Sequence, residues 1–301
     1  MEKINTRSAF VSIVGKPNVG KSSLLNMLTG QKIAIVTNRP QTTRTKITGI
    51  LTKDEVQFVF IDTPGLHKPK TKLSEHMVKA VNQSIADVDI AVLVAEPVGE
   101  VTQAELNLIE SFRAQRLPAI LVLNKIDTLK NKDVLMERIQ KFSSLYNFDH
   151  IIPLSALTGE GVDVLLQELD SYALESVHFF PDDTLTDQPE RVIIAEIIRE
   201  KLLLNMREEI PHGIAVTIER MKERSKGNMM DIEAVIYCER DNHKGMIIGK
   251  GGAMLKKIAT DARLDIQNFL GCHVNLQCWV KVKEDWRNRE GLIRTFGLSQ
   301  Q

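Results

Sequence analysis

The stretch GKPNVGKS, residues 15–22, directly follows the apolar run AFVSIV at residues 9–14. It fits the pattern G-x-x-x-x-G-K-[S/T], in which glycines let successive backbone N–H groups point into one concavity. The apolar run predicts a buried strand, and the residues after the loop predict a helix whose N-terminus faces the same anion. We therefore predict a phosphate-binding loop, formed by Gly15, Lys16, Pro17, Asn18, Val19, Gly20, Lys21, Ser22 and Ser23.

Two side chains of this loop indicate which anion it binds. Lys21 supplies a positive charge for the β- and γ-phosphates of a nucleotide, and Ser22 supplies a hydroxyl ligand for Mg²⁺. A glycine-rich turn with an incidental lysine is the alternative, but every position of the pattern is present. The sequence thus predicts a nucleoside triphosphate with Mg²⁺ as the ligand.

Short apolar segments alternate with helical patterns through the first half of the chain. Several are apolar almost without interruption, which is typical of strands covered on both faces of a sheet. This alternation predicts an α/β fold with a doubly wound, mostly parallel sheet. The strand candidates are AFVSIVG (9–15), KITGIL (46–51), VQFVFID (56–62), DIAVLVA (89–95), PAILVLN (118–124) and HIIPLS (150–155).

The string NKID, residues 124–127, indicates which base is bound. A carboxylate such as Asp127 accepts hydrogen bonds from guanine N1–H and from its exocyclic amine, whereas adenine would leave it unpaired. Lys125 can pack its stem over the loop, and SAL at 155–157 can offer a backbone N–H to the guanine oxygen. The predicted guanine-site residues are Asn124, Lys125, Asp127, Ser155, Ala156 and Leu157.

Two further stretches supply candidates for the metal and the γ-phosphate. FVFIDTPG (58–65) ends a predicted strand with Asp62, which can hold Mg²⁺ through water, and with Gly65, whose N–H can meet the γ-phosphate. The polar stretch NRPQTTR (38–44) offers Thr42 or Thr43 to complete the Mg²⁺ shell, and the sequence leaves that choice open. Loops that contact a γ-phosphate order in its presence and relax after its loss.

The order of elements changes after residue 176. The stretch 177–190 has two prolines and three aspartates and no period, so we predict a linker between a domain at 1–176 and a domain at 191–301. The second part reads as a helix, two strands, two short helices around GKGG (249–252), and a last strand. From residue 191 onward 19 basic and 15 acidic residues give an excess of four positive charges, which favours contact with a polyanion.

The expected compartment follows from what the sequence lacks. Its three cysteines form no C-x-x-C pair, no apolar run is long enough to span a membrane, and the N-terminus has no apolar signal-peptide core. We expect a cytoplasmic protein.

The phosphate loop, the threonine loop, D-T-P-G, N-K-x-D and S-A-L occur in one order, and across about 170 residues this order resembles that of the translation-factor-related GTPases. The resemblance implies GTP and GDP as ligands and catalytic roles for Lys21, Thr43 and Gly65. Leu66 stands where many relatives have a glutamine that orients water, so slow intrinsic hydrolysis is expected. In similar proteins an asparagine at the place of Asn18 binds K⁺, which makes Asn18 a catalytic candidate.

The second part resembles a KH domain of type II, a smaller α+β module whose G-x-x-G loop clamps about four nucleotides. The RNA-binding candidates are Ile248, Gly249, Lys250, Gly251, Gly252, Lys256, Lys281, Lys283 and Arg287. Trp286 is expected either to stack on a base or to pack. Together the two parts resemble the Era-type family of bacterial GTPases with a P-loop GTPase domain and one KH domain.

This family resemblance implies a monomer that binds the 3′ end region of 16S ribosomal RNA and acts in 30S subunit assembly, with GTP controlling RNA binding. The alternative is a GTPase whose second domain binds a protein or, peripherally, the inner membrane surface.

Overall fold

The computed structural model describes residues 6–37, 39, 42–64, 71–86, 88–131, 133–206, 210–225 and 227–298. The chain forms two compact units. The first unit comprises residues 1–36, 43–69 and 77–187, and the second comprises 37–42, 70–76 and 188–301. The domain limits expected from the sequence stay a prediction.

The first unit contains a sheet whose path runs β2-β3-β1-β4-β5-β6. Strands β3, β1, β4, β5 and β6 are parallel, β2 is antiparallel at the edge, and the short β7 pairs antiparallel with β1. The predicted α/β class with a mostly parallel sheet is confirmed. Its elements are β1 Arg7–Val14, α1 Lys21–Thr29, β2 Ile47–Lys53, β3 Val56–Asp62, α2 Lys72–Ala86 (of which residues 72–76 belong to the second unit), β4 Ile90–Ala95, α3 Gln103–Gln115, β5 Ala119–Asn124, α4 Asp133–Ser143, β6 His150–Leu154, α5 Val162–Asp170 and β7 Leu174–Glu175.

The strand order places the first loop at a switch point of the sheet. Strand β1 lies between β3 and β4, so the chain leaves its carboxyl end where the order of strands reverses. Ile13 lies opposite Asp62, and Val14 lies opposite Leu93. Ligands of open α/β sheets bind in this crevice, beyond the carboxyl ends of the strands.

Both faces of this sheet are covered by apolar side chains. In β4, Ile90, Val92 and Val94 belong to one buried cluster together with residues of α1 and α5. The intervening residues, Ala91 and Leu93 among them, belong to a second cluster with residues of α2, α3 and α4. The near-continuous apolar strands of the sequence are therefore explained by burial on both sides.

The stretch predicted as a linker is held against the first unit over much of its length. Gln57, fully buried, accepts hydrogen bonds from the backbone N–H groups of Phe179 and Phe180 and donates to the carbonyl of Phe180. Further on, Ile50 N–H donates to Leu185 O at 2.8 Å. A segment that lacks periodicity is thus ordered by hydrogen bonds to β2 and β3, which the local sequence pattern does not reveal.

The second unit has a three-stranded sheet in the order β10-β9-β8, in which β9 and β10 are parallel and β8 is antiparallel. The element order helix, strand, strand, helix, helix, strand is the one expected for a type II KH domain, and this prediction is confirmed. The elements are α6 Glu190–Asn205, β8 Ala215–Glu223, β9 Met229–Cys238, α7 Asp241–Ile248, α8 Ala253–Leu270, β10 His273–Val282 and α9 Glu290–Thr295.

Alternation along β9 determines which face of this sheet is buried. Ile232, Ala234, Ile236 and Cys238 are buried and pack in one cluster with residues of α6 and α8. Trp286 lies in a separate small cluster, is fully buried, and donates from Nε1 to Gly213 O at 2.9 Å. Of the two roles expected for Trp286, the structure shows packing.

The corner between α7 and α8 is made by glycines under different constraints. Gly249 has φ 72° and ψ 176°, a region essentially restricted to glycine, and an added Cβ would lie 2.7 Å from Met254 Cβ. Gly251 has φ 60° and ψ 22°, and an added Cβ would meet nothing within 4 Å. The left-handed helical region costs an ordinary residue only about 1–2 kcal/mol.

We expect Gly249→Ala to destabilise the second unit by about 3 kcal/mol or more, because backbone strain and a clash add together. Gly251→Ala, the matched control, should cost about 1 kcal/mol. Chemical denaturation of the full chain, followed by the fluorescence of buried Trp286, measures both. Equal losses for the two variants would contradict this account of the corner.

Candidate nucleotide-binding site

The phosphate loop connects β1 to α1 at the switch point of the first sheet. Val19 is buried, and Asn18, with φ 66°, is exposed at the tip. Helix α1 begins at Lys21, so the backbone N–H groups of its first turn, including those of Ser22 and Ser23, point toward the loop. The predicted strand–loop–helix context is present.

The side chain of Lys21 is buried beneath this loop. Its Nζ donates to Gly15 O at 3.1 Å and to Lys16 O at 3.0 Å, so the ammonium closes the loop around itself. Burial lowers the pKa of Lys21 to about 8, although Asp62 opposes this shift. A phosphate anion beside Nζ would favour the charged ammonium and so oppose the lowering of the pKa by burial.

The three candidate metal ligands of the first unit are together. Ser22 Oγ donates to Asp62 Oδ2 at 2.7 Å and lies 2.9 Å from Thr43 Oγ1. Burial raises the pKa of Asp62 to about 6, against the opposing effects of Lys21 and of the Ser22 hydrogen bond. Asp62 Oδ1 is buried without a hydrogen-bond partner among the described residues. Two hydroxyls and one carboxylate, whose Oδ1 has no partner among the described residues, fit Mg²⁺, which prefers hard oxygen ligands.

The geometry separates the two candidate threonines. Thr43 is buried with its hydroxyl beside Ser22, whereas Thr42 belongs to the second unit. There Thr42 Oγ1 lies 2.7 Å from Thr37 Oγ1 and 2.6 Å from Arg39 O. The arrangement favours Thr43 as the magnesium ligand.

Asn124, at the end of β5, connects three loops. Its Nδ2 donates to Val19 O at 2.8 Å, and its Oδ1 accepts from Ala156 N–H at 2.9 Å. Gly20, with φ 98°, lies so close that an added Cβ would be 2.2 Å from Asn124 Nδ2. Asn124 therefore fixes the phosphate loop and the SAL loop rather than facing a ligand itself.

The predicted base-recognition residues meet at the ends of β5 and β6. Asp127 Oδ1 accepts from Ser155 Oγ at 2.6 Å, which orients the carboxylate. Leu157 is 79% exposed, so the SAL loop is open to solvent on one side. Lys125, in a left-handed conformation with φ 74°, donates from Nζ to Asn18 O at 2.6 Å.

Glu96 is a site residue that the sequence analysis did not single out. It accepts from Lys125 Nζ at 2.9 Å and pairs with Lys16 Nζ at 3.0 Å. The available signal was its position directly after β4, at the edge of the sheet where ligands bind. Gly65 and Leu66 lie outside the described residues, and their predicted roles stay predictions.

The predicted RNA-binding residues lie in the second unit and are mostly exposed. Lys250 and Gly251 are exposed at the corner between α7 and α8, where Gly249 and Gly252 are partly buried. Lys256, Lys281 and Lys283 are also exposed, and Ile248 packs partly against the core. Arg287 pairs with Glu239, with Nη2 and Oε2 2.6 Å apart, so its charge is already engaged.

Comparison with protein families identifies both units. A family described as 50S ribosome-binding GTPase matches residues 10–125, and the KH domain family matches residues 209–287. The described helices include none that is long and apolar enough to cross a bilayer.

Two curated relatives that are similar along the whole chain are both named GTPase Era. The GTPase Era of Clostridioides difficile (strain 630) is 50% identical over 295 residues, covering 98% of this chain and 99% of that protein. The GTPase Era of Ruminiclostridium cellulolyticum is 49% identical, covering 97% of each.

Two solved structures are equally similar, each with a TM-score of 0.94 and 36% identity over 98% of this chain and 100% of the other. One is a single-residue variant of Aquifex aeolicus Era bound to GDP·AlF4⁻. The other is Era in complex with MgGDPNP and nucleotides 1506–1542 of 16S ribosomal RNA.

A proton on Asp62 competes with Mg²⁺ for the same oxygens. Because burial raises the pKa of Asp62 to about 6, the carboxylate is ionised above that pH and protonated below it. We expect the affinity for Mg²⁺ in the presence of GDP to fall about tenfold between about pH 7 and about pH 5. Calorimetric titration with Mg²⁺ measures the change.

Asp62→Asn is the control, because GDP protonates equally in both experiments. The Asp62→Asn protein should bind Mg²⁺ more weakly, and its affinity should change less between about pH 7 and about pH 5. Parallel pH curves for the two proteins would show that the nucleotide, not Asp62, is the group that titrates.

Proposed function

The chain belongs to the GTPase Era family and is a GTPase; from this premise we propose that its second unit binds the 3′ end region of 16S ribosomal RNA and that the protein acts in 30S subunit assembly. The observation that supports this proposal most strongly is the similarity of the whole chain to Era in complex with MgGDPNP and 16S ribosomal RNA nucleotides 1506–1542. The corner between α7 and α8 supports the proposal, since it exposes Lys250 between glycines.

In the proposed hydrolytic mechanism the protein positions charge rather than forming covalent bonds. Lys21, held by two loop carbonyls, faces the β- and γ-phosphates. Ser22, Thr43 and Asp62 would hold Mg²⁺, and the bound ion would supply positive charge to the phosphate oxygens. Slow intrinsic hydrolysis follows from Leu66, whose side chain cannot orient water, and K⁺ beside Asn18 is the proposed additional charge.

Guanine selectivity is assigned to Asp127, because Ser155 holds its carboxylate in one orientation. The carboxylate pairs with guanine N1–H and the exocyclic amine, and a base without these donors leaves it unpaired. Lys125 and Leu157 flank the base, and the backbone N–H groups of the SAL loop face the guanine oxygen.

RNA binding is assigned to the GKGG corner and the exposed lysines near it. Lys250→Gln should weaken binding of a single-stranded RNA with the sequence of the 16S 3′ end by about three- to tenfold. The slope of log affinity against log salt should decrease by about 0.7, since one phosphate contact is lost. Fluorescence anisotropy of labelled RNA over a salt series measures both.

The matched control is Lys222→Gln, which removes an exposed lysine from β8 of the same unit. We expect it to leave RNA affinity unchanged. If Lys250→Gln binds this RNA as well as the unaltered protein does, the proposed RNA site is wrong, whatever the GTPase rate.

Nucleotide control of RNA binding has a proposed route through adjacent residues. Thr43 is one of the three proposed magnesium ligands, and Thr42, the residue before it, accepts a hydrogen bond at its carbonyl from Arg199 Nη2. The Arg199 guanidinium is also held by Glu196, with Nε and Oε1 2.7 Å apart, and its side chain is buried. We assign Arg199 the role of holding Thr42, the covalent neighbour of Thr43, against α6 within the second unit.

Arg199→Gln should therefore reduce the difference in RNA affinity between the GDPNP-loaded and GDP-loaded protein by about fivefold, a typical coupling magnitude. Nucleotide binding and RNA binding should each persist. Arg220→Gln, which breaks an exposed pair with Glu233, is the control. Anisotropy in both nucleotide states measures the ratio, and a ratio unchanged by Arg199→Gln would contradict this route.

The remaining assignments are proposals that rest on the family. We place the protein in the cytoplasm, where its proposed RNA partner is made. A monomeric state, the domain limits 1–176 and 191–301, and a peripheral contact with the inner membrane stay predictions.

A further inference from the structure

Glu96 lies between two lysines that come from different loops of the nucleotide site. Its Oε1 accepts from Lys125 Nζ at 2.9 Å, and its Oε2 pairs with Lys16 Nζ at 3.0 Å. Lys16 belongs to the phosphate loop, and Lys125 belongs to the loop after β5. One carboxylate thus joins the parts of the site assigned to the phosphates and to the base.

The local environment makes this bridge stronger than an ordinary surface pair. Glu96 is 33% exposed, and Lys16 is 22% exposed. Burial raises the pKa of Glu96, but hydrogen bonds from Lys125 and Lys16 outweigh that effect and hold the pKa below its usual value. The carboxylate is therefore ionised at neutral pH and bonded at both oxygens.

The backbone of Glu96 is itself fixed by a buried cation. Arg138 donates from Nε to Glu96 O at 3.2 Å and from Nη1 to Gly99 O at 2.9 Å. Its guanidinium also pairs with Glu105 and lies 4.5 Å from the ring centroid of Phe142. Since Arg138 and Glu105 are both buried, the loop after β4 is held where Glu96 must stand.

Lys125 is consequently restrained from two sides. Its Nζ donates to Asn18 O as well as to Glu96, so the lysine stem has one direction before any nucleotide arrives. A flexible lysine loses rotamer freedom when it is ordered. Because the free protein already holds the lysine in place, nucleotide binding loses less side-chain entropy.

We propose that Glu96 is a positioning residue for guanine nucleotides, which orders Lys16 and Lys125 so that the bound nucleotide leaves slowly. The inference rests on the guanine-nucleotide site proposed above. The rival role for Glu96 is simple charge balance. It makes the opposite prediction, because removing a negative charge beside an anionic ligand would strengthen binding.

Glu96→Gln tests the choice between these roles. The amide keeps the size, but it carries no charge and replaces one of the two acceptor oxygens by an NH2 donor that would face an ammonium, so the dissociation rate of a fluorescent GDP should rise about tenfold. The association rate should not fall, since the site becomes more positive.

Glu100→Gln is the matched control. Glu100 is in the same loop and pairs with a lysine, Lys141 Nζ, at 2.7 Å, but it is 82% exposed and contacts neither Lys16 nor Lys125. Its nucleotide kinetics should equal those of the unaltered protein. Glu96→Asp, whose shorter side chain reaches one lysine at a time, should give an intermediate dissociation rate.

The inference is overturned if Glu96→Gln releases GDP within about twofold of the unaltered rate, binds it more tightly, or matches Glu100→Gln. Thermal melting without nucleotide identifies a folding defect, and the decision then rests on Glu96→Asp, for which an unaltered rate overturns the inference. If the unaltered protein failed to bind GDP, the site itself would be refuted, which is a separate result.

Discussion

Two buried charges of opposite sign, the Lys21 ammonium and the Asp62 carboxylate, set the conditions for the rest of the first unit. Burial shifts each pKa in the direction that favours the neutral form, down to about 8 for Lys21 and up to about 6 for Asp62. The attraction between the two groups therefore does not compensate for their loss of hydration. A fold retains such a pair at some cost in stability. Asp62 Oδ1 has no hydrogen-bond partner among the described residues, and Lys21 is bonded to carbonyls of the phosphate loop. Both features indicate that the pair is retained for a site that a cation and an anion complete.

Much of this site could be predicted from the sequence, because local patterns report local geometry. Asp62 and Asn124 end apolar strands, the phosphate loop and Asp127 come after such strands, and carboxyl ends of parallel strands meet at one edge of a sheet. The type II order of the second unit was readable for the same reason. The choice between Thr42 and Thr43 was not, since adjacent residues with the same side chain differ only in where the backbone turns.

What the sequence did not reveal depends on neighbours in space. The bridge from Glu96 to Lys16 and Lys125 requires that β4 lie between β1 and β5, and the apolar pattern of the strands does not specify their order in the sheet. The segment after residue 176 has no period, yet Gln57 of β3 binds its backbone, because a buried side chain of the sheet can order a chain that has no conformational preference of its own. Trp286 was equally ambiguous until its indole N–H was found bonded to Gly213 O.

The chain uses glycine and lysine before a helix twice, and the difference lies in burial. Lys21 is buried and closes its own loop, so its charge acts in a low dielectric where it is worth several times more than in water. Lys250, in the corner before α8, is exposed and keeps its hydration. A desolvated charge suits one ligand held tightly with a metal, whereas a hydrated charge suits the phosphates of a long chain, each bound weakly and screened by salt. The same pair of residue types therefore suits a tight nucleotide site in one unit and, under the proposed RNA-binding role, salt-sensitive and reversible contact in the other.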